Sequence, residues 1–366
     1  MPAASSEPDT SRRNEATAAR EAGTVAAPGV RPKDLVGGLA PAALIGISTY
    51  GLTRVMNVPV ADPLVLAMLA GVFVRTVLGH RMAWKKGFAA APALCIPVGI
   101  AFYAVKNLNF IEFAAIPKSS VMLAALIVLV YFAVILALGR LLGQKQEITY
   151  LTATGSAICG ASAIAITSPA VKADCDDISV SILAVTVAAV VALFTVLPFV
   201  AVTFGLTDHA YGLLSGSVLQ MTGFVKAAVH NEPFLNRQLS DEALASLALS
   251  VKAARYLGLL IAIPVFASLV RKRLYLPWVL WVFLAAGVLG SWVYATREDF
   301  YTATLIPAVK PMYGLSWSIA MAAVGLNVDV RKLASNQGIK ALIAAFAGCA
   351  AAVATFFAGW MILGYR

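Results

Sequence analysis

The sequence predicts an all-α polytopic membrane protein on three observations: charge is scarce, apolar runs are long, and basic residues gather between the runs. Charged residues make up 13% of the chain and hydrophobic ones 60%, with a mean hydropathy of +0.83, whereas a soluble domain averages about 25% charged residues. Several uncharged runs exceed the roughly 20 residues needed to cross a hydrocarbon core, residues 178–206 being the clearest. They are continuously apolar rather than alternating, which argues against an outer-membrane barrel. The net charge of +10 sits mainly in short connections, so it reads as an orientation signal and not as a nucleic-acid surface.

Taken in order, residues 1–33 are rich in Ala, Ser, Glu and Arg and contain no apolar run. Such a segment cannot bury enough surface to offset its ordering entropy, and it reads as a disordered cytoplasmic tail. It lacks the layout of a cleavable signal peptide, so the first span is expected to act as an uncleaved signal-anchor. Residues 34–366 read as one membrane domain. Spans are expected near 34–53, 60–79, 88–105, 119–140, 149–171, 177–203, 208–229, 244–270, 276–296, 303–326 and 338–364, eleven crossings in all. With the tail inside, the inner connections hold Arg75, Arg81, Lys85, Lys86, Arg140, Lys145, Arg271, Lys272, Arg273, Arg331, Lys332 and Lys340. The outer ones hold fewer cations, interspersed with Glu112, Asp174, Asp176, Asp177, Glu298 and Asp299. That asymmetry predicts a cytoplasmic N-terminus in a bacterial inner membrane; only the connection near 203–208 is silent.

Two short echoes raise an inverted repeat, a common origin of transporters. Ile100-Ala101 with Ala104-Val105 matches Ile319-Ala320 with Ala323-Val324, and Gly155-Ser156 matches Gly216-Ser217. Cys95, Cys159, Cys175 and Cys349 are scattered, without metal-ligand spacing, and read as small core residues; no cofactor is implied.

Ionisable residues inside apolar spans are costly unless they face a partner, water or the bundle interior. Those found are all cations: Lys226, Lys252, Arg255 and Lys310. Without Asp or Glu in the span cores to pair with them, backbone carbonyls, water or a bound anion are left, and an anion cavity is the economical reading. Lys252 and Arg255, three apart, share a helix face. The stretch Thr152–Lys172 is built from small and hydroxyl residues, with Gly155, Gly160 and Pro169 as interrupters. Either it is a tight packing seam or it is a broken helix offering backbone N–H groups to a ligand, with Thr154, Ser156 and Ser162 adding hydroxyls. Asn327 ends the tenth span, as a C-cap or as part of a polar site.

Thr154-Gly-Ser-Ala-Ile-Cys-Gly-Ala-Ser-Ala-Ile-Ala165, Val251-Lys252 with Arg255, and Ala320-Met-Ala-Ala-Val-Gly-Leu326 resemble, in matching order, the signatures of the YeiH-type family of bacterial inner-membrane proteins, labelled sulfate exporters. The chain departs from that family at Ser217-Val218-Leu219-Gln220, where the family commonly has a histidine and an acid. The resemblance implies a transporter. The combined expectation is a non-enzymatic secondary carrier, an exporter of a small anion such as sulfate or a sulfonate, compatible with a homo-oligomer. Lys252, Arg255 and Lys226 would supply charge, while Thr154, Gly155, Ser156, Gly160, Ser162 and Asn327 would contribute to the binding notch. Rival readings are an intramembrane serine hydrolase using Ser162, and a receptor or scaffold that does not transport.

Overall fold

The computed structural model describes residues 32–56, 62–78, 85–229, 239–327 and 335–363. The tail expected at 1–33 lies, but for Pro32 and Lys33, outside the described residues. The helices are α1 (Pro32–Met56), α2 (Pro63–Leu78), α3 (Lys85–Asn107), α4 (Phe110–Ala115), α5 (Lys118–Leu141), α6 (Gln146–Ala157), α7 (Ala161–Thr167) and α8 (Cys175–Val191). A π-helical turn, Ala192–Val196, joins α8 to α9 (Leu197–Phe204). There follow α10 (Asp208–Val218), α11 (Thr222–Val229), α12 (Asp241–Ala254), α13 (Gly258–Arg271), α14 (Trp278–Thr296), α15 (Ile306–Asn327) and α16 (Asn336–Leu363). No strand occurs among the described residues.

Local sequence explains where helices start and stop. Asp174 and Asp177 form a reciprocal capping box at the start of α8, Thr207 caps α10 and Ser240 caps α12 through their hydroxyls, each satisfying an amide the helix leaves open. Gly205, at φ 57°, ends α9 in the left-handed region that glycine enters without steric cost.

Among the described residues, five continuous helices are long and apolar enough to cross a membrane: Lys118–Leu141, Cys175–Phe204, Glu242–Arg271, Trp278–Thr296 and Asn336–Met361. The other expected spans are helical too, with two corrections. The segment near 149–171 does not pass through. Lys145, before α6, reaches Asp174 at 3.1 Å and Asp177 at 2.7 Å, just after α7, so both ends of the segment lie on one side. Ile164 packs against Gly155, as two antiparallel arms folded about Cys159 require. The segment is a re-entrant helical hairpin.

The segment near 208–229 turns back as well. α10 and α12 run side by side in the same direction, Gly212 facing Leu244 and Leu247, and Gly216 facing Ala248. At their shared start the Leu239 N–H donates to Asp208 Oδ2 at 3.2 Å, so the chain after α11 has returned to the level where α10 began. Between the two hairpin bases lies the 30-residue run Cys175–Phe204, about 45 Å long at 1.5 Å per residue. The hairpins therefore enter from opposite faces. Asp174, Asp176, Asp177 and Lys172 move to the side of Lys145, and residues 203–208 move to the other.

The helices sort into two bundles. α1, α2, α3, α14 and α15 pack chiefly on one another, while both hairpins pack with α5, α8, α12 and α16. Close crossings between backbones mark the first bundle: Gly71 and Gly325 face each other's backbones, the small-residue approach usual in membranes. Trp317 crosses α3, its Nε1–H donating to the Ile96 carbonyl at 3.2 Å.

Candidate functional site at the hairpin tips

Irregular backbone at membrane depth survives only where protein or water satisfies it, and the two tips need many partners. α6 ends at Ala157 and α10 at Val218, each leaving carbonyls with no intrahelical donor. Lys252 and Arg255, where α12 gives way to a single 3₁₀ turn at Arg255–Leu257, supply the donors. The Lys252 ammonium donates to the carbonyls of Ile158, Leu219 (3.1 Å) and Gln220. Arg255 donates through Nε to Ala157, through one terminal nitrogen to Ser217 and Leu219, and through the other to Ser156, each at 2.8 Å. Both side chains are 1% exposed.

Lys252 and Arg255, expected to present charge to a cavity, direct their donors to the hairpins here. A lysine has three N–H donors and an arginine five; here all three and four of the five end on backbone carbonyls. Neither residue offers a free face to an anion. They clamp the hairpins, and the partial negative charge of two helix C-termini is what they neutralise. The echo Gly155-Ser156 and Gly216-Ser217 acquires meaning: each pair stands in the last turn of a first arm, and the clamp takes Ser156 with Ser217 and Ile158 with Leu219, at the same separation in sequence. Hairpins of matching register entering from opposite faces are what an inverted repeat produces.

Other expected site residues divide. Thr154 is fully buried and bonds its own helix at the Tyr150 carbonyl, 2.7 Å away. Gly155 serves the packing of α7, since a Cβ there would lie 2.7 Å from Ile164 Cδ1. Ser156 is buried, its Oγ without a partner. Gly160, at φ 71°, makes the turn of the first hairpin and faces Met221 of the second tip. Ser162 is half-buried and donates to the Cys159 carbonyl at 3.0 Å, with Cys159 Sγ at 2.8 Å. Asn327 bonds the Ala323 carbonyl at the far end of α15. That is about 20 Å along the helix from Tyr313, at 1.5 Å per residue, so the structure does not bring Asn327 together with the residues at the tips.

The remaining cations converge. Lys226 is exposed on α11 and lies within Coulombic reach of Lys106 on α3 and Lys310 on α15. Lys106 and Lys310 belong to the first bundle and Lys226 to the second. One turn before Lys226, exposed Thr222 shares a 3.1 Å hydrogen bond with Tyr256 OH, and Tyr256 meets Tyr103 edge-on at 6.1 Å between centroids. Tyr103 donates to Cys159 Sγ at 3.6 Å and stacks near Tyr313 and Trp317. A chain of contacts thus links exposed Thr222, one turn from Lys226, through Tyr256 and Tyr103 to Cys159 at the first tip. On the other side of the tips, Tyr131 OH donates to the Val218 carbonyl at 3.0 Å and accepts from Gln220 Nε2 at 3.1 Å.

Sequence reading missed Lys106, Thr222, Tyr103, Tyr256 and Tyr131. Lys106 carries a signal, being a cation at the end of an apolar run, but a cation in that place reads equally as charge in a connection. The tyrosines carried none, since an aromatic in an apolar span reads as core. Among the described residues no cluster of His, Cys, Asp and Glu could hold a metal, and all four cysteines are free.

An all-helical polytopic membrane protein with opposed re-entrant hairpins is the class that fold and site define. Residues 37–345 match the family model described as Conserved hypothetical protein 698, and the chain belongs to that family. Similar relatives are UPF0324 membrane proteins. One from Archaeoglobus fulgidus is 26% identical over 296 residues, covering 81% of this chain and 84% of the relative. One from Brucella suis is 30% identical over 288 residues, covering 76% and 80%. One from Bradyrhizobium diazoefficiens is 28% identical over 327 residues, covering 83% and 87%. The YeiH-type resemblance fits this membership. No solved structure matches the chain.

Proposed function

We propose that the protein is a secondary transporter of a small anion such as sulfate or a sulfonate, an exporter in the bacterial inner membrane with its N-terminus in the cytoplasm. The observation that carries the reading is the excess of positive charge where the hairpin tips meet. Lys252 and Arg255 bring two full charges, and the two helix C-termini they cap offset about half a charge each. About one positive charge is left at membrane depth, below Lys106, Lys226 and Lys310, and no carboxylate is among the clamp's hydrogen-bond partners.

Two separately packed bundles are compatible with alternating access: sliding or rocking of the hairpin bundle against the other would move the tips from one face toward the other. The serine hydrolase reading draws no support, because the partners of Ser162 Oγ are the carbonyl and thiol of Cys159 rather than a base.

Uptake of labelled sulfate, taurine and a larger sulfonate into proteoliposomes tests the proposal, with Lys226→Gln and Lys310→Gln alongside. Saturable anion flux that falls roughly tenfold in the double variant, with the fold intact, is the expected result. Absence of flux for every anion, or flux indifferent to both lysines, would defeat the anion reading.

A further inference from the structure

Lys252 makes its contacts in an unusual setting. Its three N–H groups end on three backbone carbonyls, Ile158 from one hairpin and Leu219 and Gln220 from the other, in backbone that has left the helical path. Gln220 is fully buried, and its Oε1 has no hydrogen-bond partner. Carbonyls at the broken ends of half-helices are the ligands that membrane carriers use for sodium, and rings of carbonyls replace the water shell of potassium in channels. An alkylammonium offers the same charge to the same oxygens; it differs in being tethered.

We propose that the meeting point of the hairpin tips is a monovalent-cation site which the chain fills from within. The Lys252 ammonium stands where sodium or potassium would bind, with the Ile158, Leu219 and Gln220 carbonyls as ligands. Two consequences follow. The wild-type protein holds its tips together without an alkali cation from solution. Removing the ammonium opens the cage to one. The proposal stands on the tip geometry alone and does not require that the cargo be an anion.

The test is thermal unfolding of the purified full chain in detergent, in sodium, potassium and choline chloride at equal ionic strength. Wild type is expected to unfold at the same midpoint in all three. Lys252→Ala is expected to unfold several degrees lower in choline and to recover saturably in sodium or potassium, because a cation that binds only the folded state stabilises it by mass action. Lys252→Gln, which keeps chain length without charge, serves as the second variant with the same expectation. The proposal is overturned if wild type gains stability from either alkali cation over choline, or if the variants show the same midpoint in all three salts. It is overturned too if neither variant folds in sodium or potassium, since a cage open to those ions would be refilled from the medium.

Discussion

The two hairpins share a design and differ in one arm. Their first arms, α6 and α10, are buried along nearly their whole length, carry Gly-Ser in the same place, and deliver equivalent carbonyls to the same two cations. Their return arms diverge. In α7 every residue but Ser162 is buried, whereas α11 exposes Thr222 and Lys226 on one face. The repeated part is therefore the clamp, and the part that has drifted is the return arm, one of which is exposed. A repeat can keep what holds its halves together while a single return arm becomes the surface a ligand meets.

The largest test of this comparison is all-or-none. If both segments are re-entrant, a membrane-impermeant maleimide should label Gln146→Cys and Lys172→Cys from one face, and Thr207→Cys from the other. Eleven straight crossings would separate positions 146 and 172, so labelling from opposite faces breaks the hairpin description. The native cysteines are buried or half-buried, which keeps the background low.

Next in size is Arg255→Ala. Three carbonyls, those of Ser156, Ala157 and Ser217, lose this donor together while Leu219 keeps Lys252, and a buried acceptor left unpaired costs about 1–3 kcal/mol. Destabilisation of at least about 3 kcal/mol, or failure to fold, is expected in thermal or denaturant unfolding, and Arg255→Lys should recover only part because an ammonium cannot reproduce the planar fork. A loss below about 1 kcal/mol would mean that the tips hold without the clamp.

A smaller effect separates the equivalent glycines. A Cβ on Gly216 would press on the Ala248 backbone of α12, while one on Gly155 would meet the flexible end of Ile164. Ile164 can turn aside, but a backbone cannot without moving its helix, so Gly216→Ala should cost about 1–3 kcal/mol and Gly155→Ala clearly less. Equal losses would place Gly155 in as rigid a seam as its counterpart.

Much of this was legible before any coordinates. Continuous apolar runs named the fold class, Gly155 to Gly160 marked a break, and Lys252 with Arg255 stood out as cations without acids. Hydropathy has no way to tell a hairpin from a crossing, however, because both bury apolar residues over about the same length. What decides is a contact between ends, Lys145 with Asp174 and Asp208 with Leu239, and no local pattern encodes it. The role of Lys252 and Arg255 was hidden for a related reason: their partners are backbone carbonyls, which every sequence possesses.

The ion pair at the base of the first hairpin gives the smallest expected effect and the clearest pH statement. Burial alone would lower the pKa of Lys145, but hydrogen bonds to Asp177 and Asp174 outweigh it and raise the ammonium above its usual range. Burial likewise pushes the Asp174 carboxyl up, and amide hydrogen bonds from Asp177 together with Lys145 bring it below the usual value. A cation with a raised folded pKa stabilises below its unfolded pKa and loses that contribution as pH rises through the folded one. A carboxylate with a lowered folded pKa stabilises above its unfolded pKa and loses that as pH falls. The pair should therefore contribute evenly between about pH 4 and 10 and fade outside. Lys145 and Asp174 are wet, at 42% and 59% exposure, while Asp177 is only 4% exposed but keeps an amide hydrogen bond from Asp174, so Lys145→Ala should cost about 1 kcal/mol, without changing the face from which Lys172→Cys is labelled. If that substitution instead reverses the labelled face, the salt bridge, and not the clamp at the tip, is what folds the segment back.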